Sequence, residues 1–96
     1  MHFFYVLYSL KDGRLYKGYT SELGQRFIKH NAGGSTSTKH RRPLVLIHLE
    51  AFVTKAEALN REKWSKSLEG GAALREMLVE KNILKPDNSL YGISAG

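Results

Sequence analysis

The sequence contains no cysteine among its 96 residues. It therefore has no disulfide framework, no thiolate nucleophile and no cysteine-containing zinc site, as is usual in a reducing cytosol. No apolar run approaches the roughly 18 to 20 residues that a membrane helix needs. The apolar opening, MHFFYVLYSL, lacks a basic leader and a small-residue cleavage site, so it is typical of a strand rather than of a signal peptide. These absences predict a cytoplasmic protein that does not enter a membrane.

Acidic residues are also few. Nine Asp and Glu stand against fifteen Lys and Arg, which gives a net charge of +6 and a pI near 9.7. This excess favours a polyanionic partner such as nucleic acid over an acidic small molecule. The alternative is a basic surface that serves only solubility. Hydrophobic residues at 42% and charged residues at 25% are typical of a compact globular protein, and the length fits one domain.

Three segments have the composition of β-strands. Residues 3–10 are rich in aromatic and β-branched types and lead into Asp12-Gly13, a two-residue hairpin signal whose central positions both need positive φ. Residues 14–19 form the return strand. Residues 44–52, LVLIHLEAF, form a third strand that we expect to be largely buried. The Gly, Ser and Thr-rich segment before it, residues 32–43, is predicted to be a loop.

The remaining segments have helical signals. Ser21 or Thr20 is expected to cap the first helix, and a capping box of Thr54 and Glu57 opens the second. Gly70-Gly71 is expected to end the second helix. The three helices are predicted at residues 22–31, 55–68 and 72–81.

The order hairpin, helix, strand, helix, helix defines the fold class. It predicts an α+β domain in which a three-stranded antiparallel sheet is flanked by three helices. We expect this domain to span residues 1–82. Residues 83–96 carry Gly and Ser without a clear period, so they are expected to form a loosely ordered tail.

The hairpin carries two tyrosines and a glycine on one face. A two-residue turn would place Tyr16 opposite Ser9 and Gly18 opposite Leu7, so that Tyr5, Tyr16 and Gly18 project to the same side. A glycine inside a strand often marks a place where a ligand or another backbone comes close. The alternative is that both tyrosines pack under a helix with their hydroxyls at its rim.

The first helix carries Arg26 and His30 four residues apart, on one face. We expect Leu23 and Phe27 to lie on the other, core-directed side. An arginine fork holds a phosphate bidentately, and a histidine can relay a proton near neutral pH. The alternative is a solvated basic helix face.

The second helix carries Glu62, three residues from Leu59 and toward the predicted buried side. A buried carboxylate needs a partner or a metal. The alternative is an exposed glutamate paired with Lys66 one turn later. Two tyrosines, an arginine, a histidine and a carboxylate together have the parts for phosphodiester hydrolysis.

The order and spacing of these residues resemble the GIY-YIG nuclease superfamily over about residues 3–68. The two tripeptide motifs of that family correspond to Phe3-Phe4-Tyr5 and Tyr16-Lys17-Gly18, its RxxxH motif to Arg26 and His30, and its helix glutamate to Glu62. Phe3 and Phe4 replace the glycine and isoleucine of the first motif, and Lys17 replaces the isoleucine of the second. The sequence looks most like small stand-alone members, which are similar to the nuclease domain of excision-repair subunits and of homing endonucleases.

The resemblance implies a divalent-metal-dependent DNA endonuclease, with DNA repair among its settings. It implies that Glu62 binds Mg²⁺ or Mn²⁺ and that Arg26 contacts the scissile phosphate. It also implies that Tyr16 or Tyr5 positions or deprotonates the attacking water, with assistance from His30.

A basic run follows the predicted loop. Lys39, His40, Arg41 and Arg42, together with Lys29, are predicted to contact DNA phosphates with salt-dependent, largely sequence-independent affinity. The alternative is a solvated basic loop. Specificity for double-stranded or structured DNA would then come from the DNA structure, from a partner protein or from a homodimer.

Three functions remain open from the sequence. The first is an active metal-dependent nuclease, which the retained site residues favour. The second is a nucleic-acid-binding module of the same fold with little or no catalysis, and the third is a protein-interaction domain whose charge is incidental.

Overall fold

The computed structural model describes residues 1–33 and 39–91. They form β1 (His2–Ser9), β2 (Leu15–Thr20), α1 (Leu23–Asn31), β3 (Leu44–Phe52), α2 (Lys55–Lys66) and α3 (Leu68–Glu80), with a short 3₁₀ turn at Lys39–Arg41. The predicted α+β domain, a three-stranded antiparallel sheet with three helices, is confirmed. Within the described ranges, no helix is long and apolar enough to cross a membrane. Residues 34–38 of the predicted loop and 92–96 of the predicted tail lie outside the described residues.

The sheet has the order β2-β1-β3, so β1 is the central strand and pairs antiparallel with both neighbours. Alternate residues of β1 pack into two different cores, one on each face of the sheet. Phe4, Val6 and Tyr8 pack with buried leucines of α3, whereas Tyr5 and Leu7 pack with apolar residues of α1. The sheet is therefore covered by α1 on one face and by α2 and α3 on the other.

The hairpin register differs from the prediction. Tyr5 lies opposite Gly18, and Leu7 lies opposite Tyr16, because the loop between the strands is longer than two residues. Only Gly13 of the predicted turn pair has positive φ, at 72°. The shift spans an even number of residues and so preserves the face of every side chain. The prediction that Tyr5, Tyr16 and Gly18 share one face is therefore correct although the pairing was wrong.

The buried hydroxyl of Ser9 organises the hairpin loop. It accepts hydrogen bonds from the backbone N–H groups of Lys11 (3.1 Å) and Asp12 (3.2 Å) and donates one to the carbonyl of Arg41 (2.6 Å). The hairpin loop and the 3₁₀ turn are thereby joined through one side chain.

The third strand has the predicted bounds but lies at an edge of the sheet. Only Leu44 is buried, and Leu49 and Ala51 are exposed. The expectation of a largely buried strand was wrong because the central position belongs to β1. At its start, β3 is tied to the end of α1, since the amide of Asn31 bonds both the N–H and the carbonyl of Leu44.

The predicted start of α2 agrees with the structure, whereas the predicted cap of α1 does not. The capping box of Thr54 and Glu57 is present at the start of α2. At the start of α1 the N-cap is Glu22, without a side-chain cap, while the hydroxyl of Thr20 accepts from the N–H of Glu22 at 2.9 Å. The predicted capping by Ser21 or Thr20 was therefore wrong.

The glycine pair does not end α2. This helix ends at Lys66, and Ser67 then caps α3, its side chain accepting from the N–H of Gly70. A Cβ on Gly70 would overlap the carbonyl of Trp64. Gly70-Gly71 therefore lies in the first turn of α3, where the missing side chain lets the two helices approach closely.

The start of the predicted tail closes the core. Leu84 and Leu90 are buried against α3 and form an isolated β-bridge with each other. The hydroxyl of Tyr8 donates to the carbonyl of Asn88 at 2.8 Å. The expectation of loose attachment was therefore wrong for this part of residues 83–96.

Candidate active site

Gly18 makes room for the ring of Tyr5. The two residues lie directly opposite each other, and a Cβ on Gly18 would overlap the hydroxyl and Cζ of Tyr5. The ring of Tyr5 thus crosses from the central strand over the backbone of edge strand β2. The close approach that a strand glycine indicates is made here by a side chain of the same chain.

The hydroxyl of Tyr5 contacts His30 and Arg26 and lies within electrostatic reach of Glu62. His30 Nε2 lies 3.1 Å from it, and Arg26 also forms a side-chain hydrogen bond with Tyr5. Burial raises the pKa of Tyr5 above its ordinary value of 10.0, with Arg26 acting in the opposite direction and Glu62 adding to the rise. The hydroxyl is therefore protonated at neutral pH and can donate a proton.

His30 is buried and faces Tyr5. Burial first, and then the positive charges of Arg26 and Lys29, hold the pKa of His30 below its ordinary value of 6.5. It is therefore neutral at pH 7 and can accept a proton. Arg26 and His30 share one face of α1, as predicted, since both reach the Tyr5 hydroxyl. The alternative of a solvated basic face is wrong for His30, which is buried, whereas Arg26 is exposed.

Glu62 is partly buried and is also paired with Lys66, so it has features of both orientations considered for it. It lies between Ala58 and Ser65, two fully buried residues of the same face of α2, and 23% of its side chain is exposed. Its Oε2 also pairs with Lys66 Nζ at 3.4 Å. The negative charge of Glu62 makes the smallest contribution to the raised pKa of the Tyr5 hydroxyl.

Tyr16 shares the apolar cluster of Tyr5, but its hydroxyl has a different partner. It donates to Asp12 Oδ2 at 3.4 Å, and the same oxygen pairs with Arg41 Nε at 3.2 Å. The backbone N–H of Arg14, above all, holds the pKa of Asp12 below its ordinary value. The structure thus brings Tyr5, Arg26, His30 and Glu62 together and places the Tyr16 hydroxyl at the hairpin loop.

The basic run divides into two pairs. Arg41 pairs with Asp12, and Arg42 donates to the carbonyls of Lys39 (2.8 Å) and Asn31 (3.4 Å). Lys39 and His40 are exposed. Contacts within the protein therefore engage Arg41 and Arg42, whereas Lys39 and His40 face the solvent.

A groove of about 370 Å³ lies beside the site. It is lined by Thr20, Glu22, Gln25, Arg26 and Lys29. Arg26 belongs both to this groove and to the surroundings of Tyr5, so the groove adjoins the site. Sequence reasoning missed Glu22 and Gln25, although their three- and four-residue spacing from Arg26 and Lys29 places all four on one helix face.

The residues at this site fit a divalent cation that uses few protein ligands. Within residues 1–33 and 39–91, no three His, Asp or Glu side chains cluster as a metal cage. Mg²⁺ is commonly held by one or two carboxylates and completes its coordination with water and substrate phosphates. A partly exposed carboxylate such as that of Glu62 meets that requirement.

The fold and the site define a nuclease-type catalytic domain. Residues 1–71 match the sequence model of the GIY-YIG catalytic domain, and the chain belongs to this nuclease superfamily. The resemblance inferred from the sequence motifs is thereby confirmed.

Its relatives carry the name UPF0213. The UPF0213 protein SSP2268 of Staphylococcus saprophyticus is 50% identical over 62 residues, covering 64% of this chain and 74% of that protein. The UPF0213 protein of Bacillus pumilus is 41% identical over 85 residues, covering 83% and 85%. The solution NMR structure of the UPF0213 protein BH0048 from Bacillus halodurans is similar with a TM-score of 0.50 and 35% identity, covering 79% of this chain and 83% of that chain.

Proposed function

We propose that this protein is a divalent-metal-dependent endonuclease that hydrolyses phosphodiester bonds of double-stranded or structured DNA. The observation that carries the proposal is the hydroxyl of Tyr5, which has a neutral His30 at 3.1 Å, a hydrogen-bonded Arg26 and the charge of Glu62 close by. These groups can accept a proton, bind a phosphate and bind a cation. Hydrolysis of a phosphodiester needs all three functions.

Tyr5 and His30 would handle the proton of the attacking water. Because its raised pKa keeps Tyr5 protonated, the tyrosine acts as a relay rather than as a phenolate base. The water gives its proton to the Tyr5 oxygen as the phenolic proton passes to His30 Nε2. The hydroxide then attacks phosphorus as the bond from phosphorus to the leaving sugar oxygen breaks. The leaving oxygen takes a proton from solvent, and His30 returns its proton to solvent. This assignment selects Tyr5 over Tyr16, whose hydroxyl bonds Asp12.

Arg26 would bind the scissile phosphate. Its side chain is exposed in the groove on one side and hydrogen-bonded to Tyr5 on the other. A guanidinium at this position can hold two phosphate oxygens and neutralise the charge that develops on them. Lys29, in the same groove, and the exposed Lys39 and His40 would contact phosphates further along the strand.

Glu62 would hold the metal ion, Mg²⁺ or Mn²⁺. A bound divalent cation would polarise the phosphate and neutralise its charge. Lys66 pairs with only one oxygen of this carboxylate, and the exchange of that exposed lysine for a cation costs little because more than half of its side chain is exposed.

The substrate and the composition together suggest where the protein works. A DNA substrate and a chain without cysteine both fit a cytoplasmic protein. Selection among DNA targets would come from the DNA structure, from a partner protein or from a second copy of the chain.

One observation favours the second candidate, a nucleic-acid-binding module without catalysis. The carboxylate of Glu62 already pairs with Lys66. If this pair persisted on DNA, the positive charge of Lys66 would oppose a cation at the carboxylate, although the exposed cations would still bind phosphates.

The test compares the parent with Glu62→Gln on supercoiled and branched DNA, with Mg²⁺, Mn²⁺ or a chelator. Glu76→Gln, an exposed change on α3, is the matched control. We expect nicking that needs the metal, is lost by at least about a hundredfold in Glu62→Gln and is kept in the control. Both variants should bind DNA as the parent does.

Three results would contradict the proposal. Equal nicking by Glu62→Gln and the parent would exclude Glu62 as the metal ligand. Binding without nicking by any of the proteins would favour the binding module, and no binding at low salt would favour the protein-interaction domain.

A further inference from the structure

Lys17 makes an unusual contact for its position in the second motif. It lies on β2 between Tyr16 and Gly18, with its side chain on the opposite face, where the family pattern has isoleucine. Its Nζ donates to the carbonyl oxygen of Ser65 at 2.9 Å. The ammonium thereby satisfies a carbonyl in the last turn of α2, where a positive charge also interacts favourably with the helix dipole.

This contact continues to the glutamate of the candidate site. Ser65 is fully buried, and its hydroxyl donates to the carbonyl of Glu62 at 2.6 Å. Lys17, Ser65 and Glu62 are thus joined by consecutive hydrogen bonds.

The same turn of α2 is also attached to the other edge of the sheet. Arg61, the residue before Glu62, holds Glu50 of β3 with both Nε (2.9 Å) and a terminal nitrogen (3.2 Å). Its guanidinium lies over the ring of Trp64, 4.1 Å from the centroid. Glu62 therefore lies between one attachment to β3 and another to β2.

Strand β2 thus contacts both Tyr5 and the turn of α2 that carries Glu62. Gly18 fixes where the ring of Tyr5 lies, and Lys17, its neighbour on the opposite face, fixes the turn that carries Glu62. Because Lys17 and Gly18 are adjacent in the strand, the distance between the Tyr5 hydroxyl and the Glu62 carboxylate is set through these two neighbouring residues.

We infer that Lys17 is a positioning residue, which holds the last turn of α2 against β2 and thereby sets the place of the Glu62 carboxylate relative to the Tyr5 hydroxyl. The effect of Lys17 on the cleavage rate rests on the proposed function. Its effect on the position of the Glu62 carboxylate does not. An isoleucine at this position could pack against α2 but could not bond the Ser65 carbonyl.

The structural consequence is tested without metal or DNA. The carboxyl ¹³C resonance of Glu62 and the ring resonances of Tyr5 are compared in the parent, Lys17→Met, Lys17→Arg and Lys63→Met. Lys63 is an exposed lysine of the same helix, so its variant has the same charge change. We expect both sets of resonances to move in Lys17→Met, to return toward the parent positions in Lys17→Arg and to stay unchanged in Lys63→Met.

The catalytic consequence is tested by steady-state cleavage of DNA. Misplacing a reacting group by a fraction of an ångström lowers the rate without weakening substrate binding, so we expect kcat to fall about tenfold in Lys17→Met while KM stays within about twofold. Lys17→Arg should recover most of the rate. A role in stability alone would change the unfolding midpoint and leave this kcat-to-KM pattern absent.

Each result decides between the alternatives. Unchanged Glu62 and Tyr5 resonances in a folded Lys17→Met protein would overturn the inference. Should that variant not fold, Lys17→Ile takes its place, because isoleucine fills the site as in the family motif. A Lys17→Ile protein with parent resonances would equally overturn it. A parent that cleaves no DNA would instead contradict the proposed function, and the resonances would still decide the positioning role.

Discussion

Gly18 and Tyr5 form the contact on which the other site residues depend. The absent side chain of Gly18 lets the Tyr5 ring lie across β2, and the hydroxyl then reaches His30 and Arg26. Any side chain at position 18 would occupy the space of that ring. The glycine is therefore required by packing inside the site rather than by backbone conformation.

Gly18→Ala is expected to displace the Tyr5 ring. Overpacking of this kind destabilises a protein by about 1 to 3 kcal/mol and should also abolish DNA cleavage. Urea unfolding and a nicking assay measure the two effects. Gly24→Ala is the control, because an added Cβ would meet no atom of another described segment within 4 Å and the change in α1 should stabilise by about 0.5 kcal/mol. A Gly18→Ala protein as stable and active as the parent would contradict this account.

His30 makes stability depend on pH. Its pKa is held below 6.5 in the folded protein by burial and by Arg26 and Lys29, whereas the unfolded chain takes up the proton near 6.5. The unfolded state therefore binds more protons between these two values, and the free energy of unfolding falls as the pH drops through this window. Above pH 6.5 the stabilisation is complete.

Urea unfolding from about pH 7.5 to about pH 5 measures this dependence. In His30→Gln, whose amide can still bond Tyr5, the fall below pH 6.5 should be shallower than in the parent. The other histidines are present in both proteins and cancel in the comparison. The same slope in both proteins would show that His30 is not responsible.

Residue patterns predicted part of this site. Strand alternation placed Tyr5, Tyr16 and Gly18 on one face and was insensitive to the incorrect hairpin pairing. It could not locate the Tyr16 hydroxyl, because that depends on the length of the hairpin loop and on Asp12 within it. Nor did helix spacing show that His30 turns inward, since its burial depends on the Tyr5 ring across the interface.

The junction of α2 and α3 shows how packing overrides a local signal. Two consecutive glycines usually end a helix, yet here they begin one. Ser67 provides both the end of α2 and the cap of α3, and Gly70 approaches the Trp64 carbonyl too closely for any side chain. Ser67 could have been recognised as a helix cap from the sequence. The contact between Gly70 and the Trp64 carbonyl could not, because it depends on how the two helices pack. The capping box at Thr54 was predictable because all its partners are local.

Gly70→Ala is therefore expected to force α3 away from α2. Because the obstructing atom is a backbone oxygen that cannot rotate aside, we expect a loss of at least about 2 kcal/mol in the free energy of unfolding. Gly71→Ala is the comparison, since its Cβ would lie 3.2 Å from the Ser65 carbonyl oxygen and needs only a small shift. Urea unfolding should rank Gly70→Ala well below Gly71→Ala. The reverse order would contradict the assigned helix contact.

The two faces of the sheet carry separate cores, and both contribute residues to the candidate site. One face of the sheet holds the larger core with α2 and α3, which Leu84 and Leu90 complete. The other face, under α1, holds Tyr5 and Tyr16 and the arginine that reaches the groove. The sequence predicted the α+β architecture but not the contribution of residues beyond 82, because two isolated leucines give no periodic signal.

The distribution of charge predicts how DNA binding depends on salt. Lys39 is exposed beside the hairpin loop, so Lys39→Ala should weaken binding equally for all sequences and reduce the slope of log Kd against log salt by about one. Lys81→Ala, the same charge change at the end of α3, should leave the slope unchanged. Equal slopes for Lys39→Ala and the parent would show that the exposed lysine does not contact phosphate.

In the proposed mechanism, the reacting water meets Tyr5 beside Arg26, His30 and Glu62. The most direct measurement is single-turnover cleavage of DNA with Mg²⁺ or Mn²⁺ by Tyr5→Phe and Tyr16→Phe, both checked for folding. The account predicts that Tyr5→Phe loses about a hundredfold or more of the rate, while Tyr16→Phe stays within about fivefold of the parent because its hydroxyl bonds Asp12. A Tyr5→Phe protein that cleaves at the parent rate, or a larger loss in Tyr16→Phe, would contradict it.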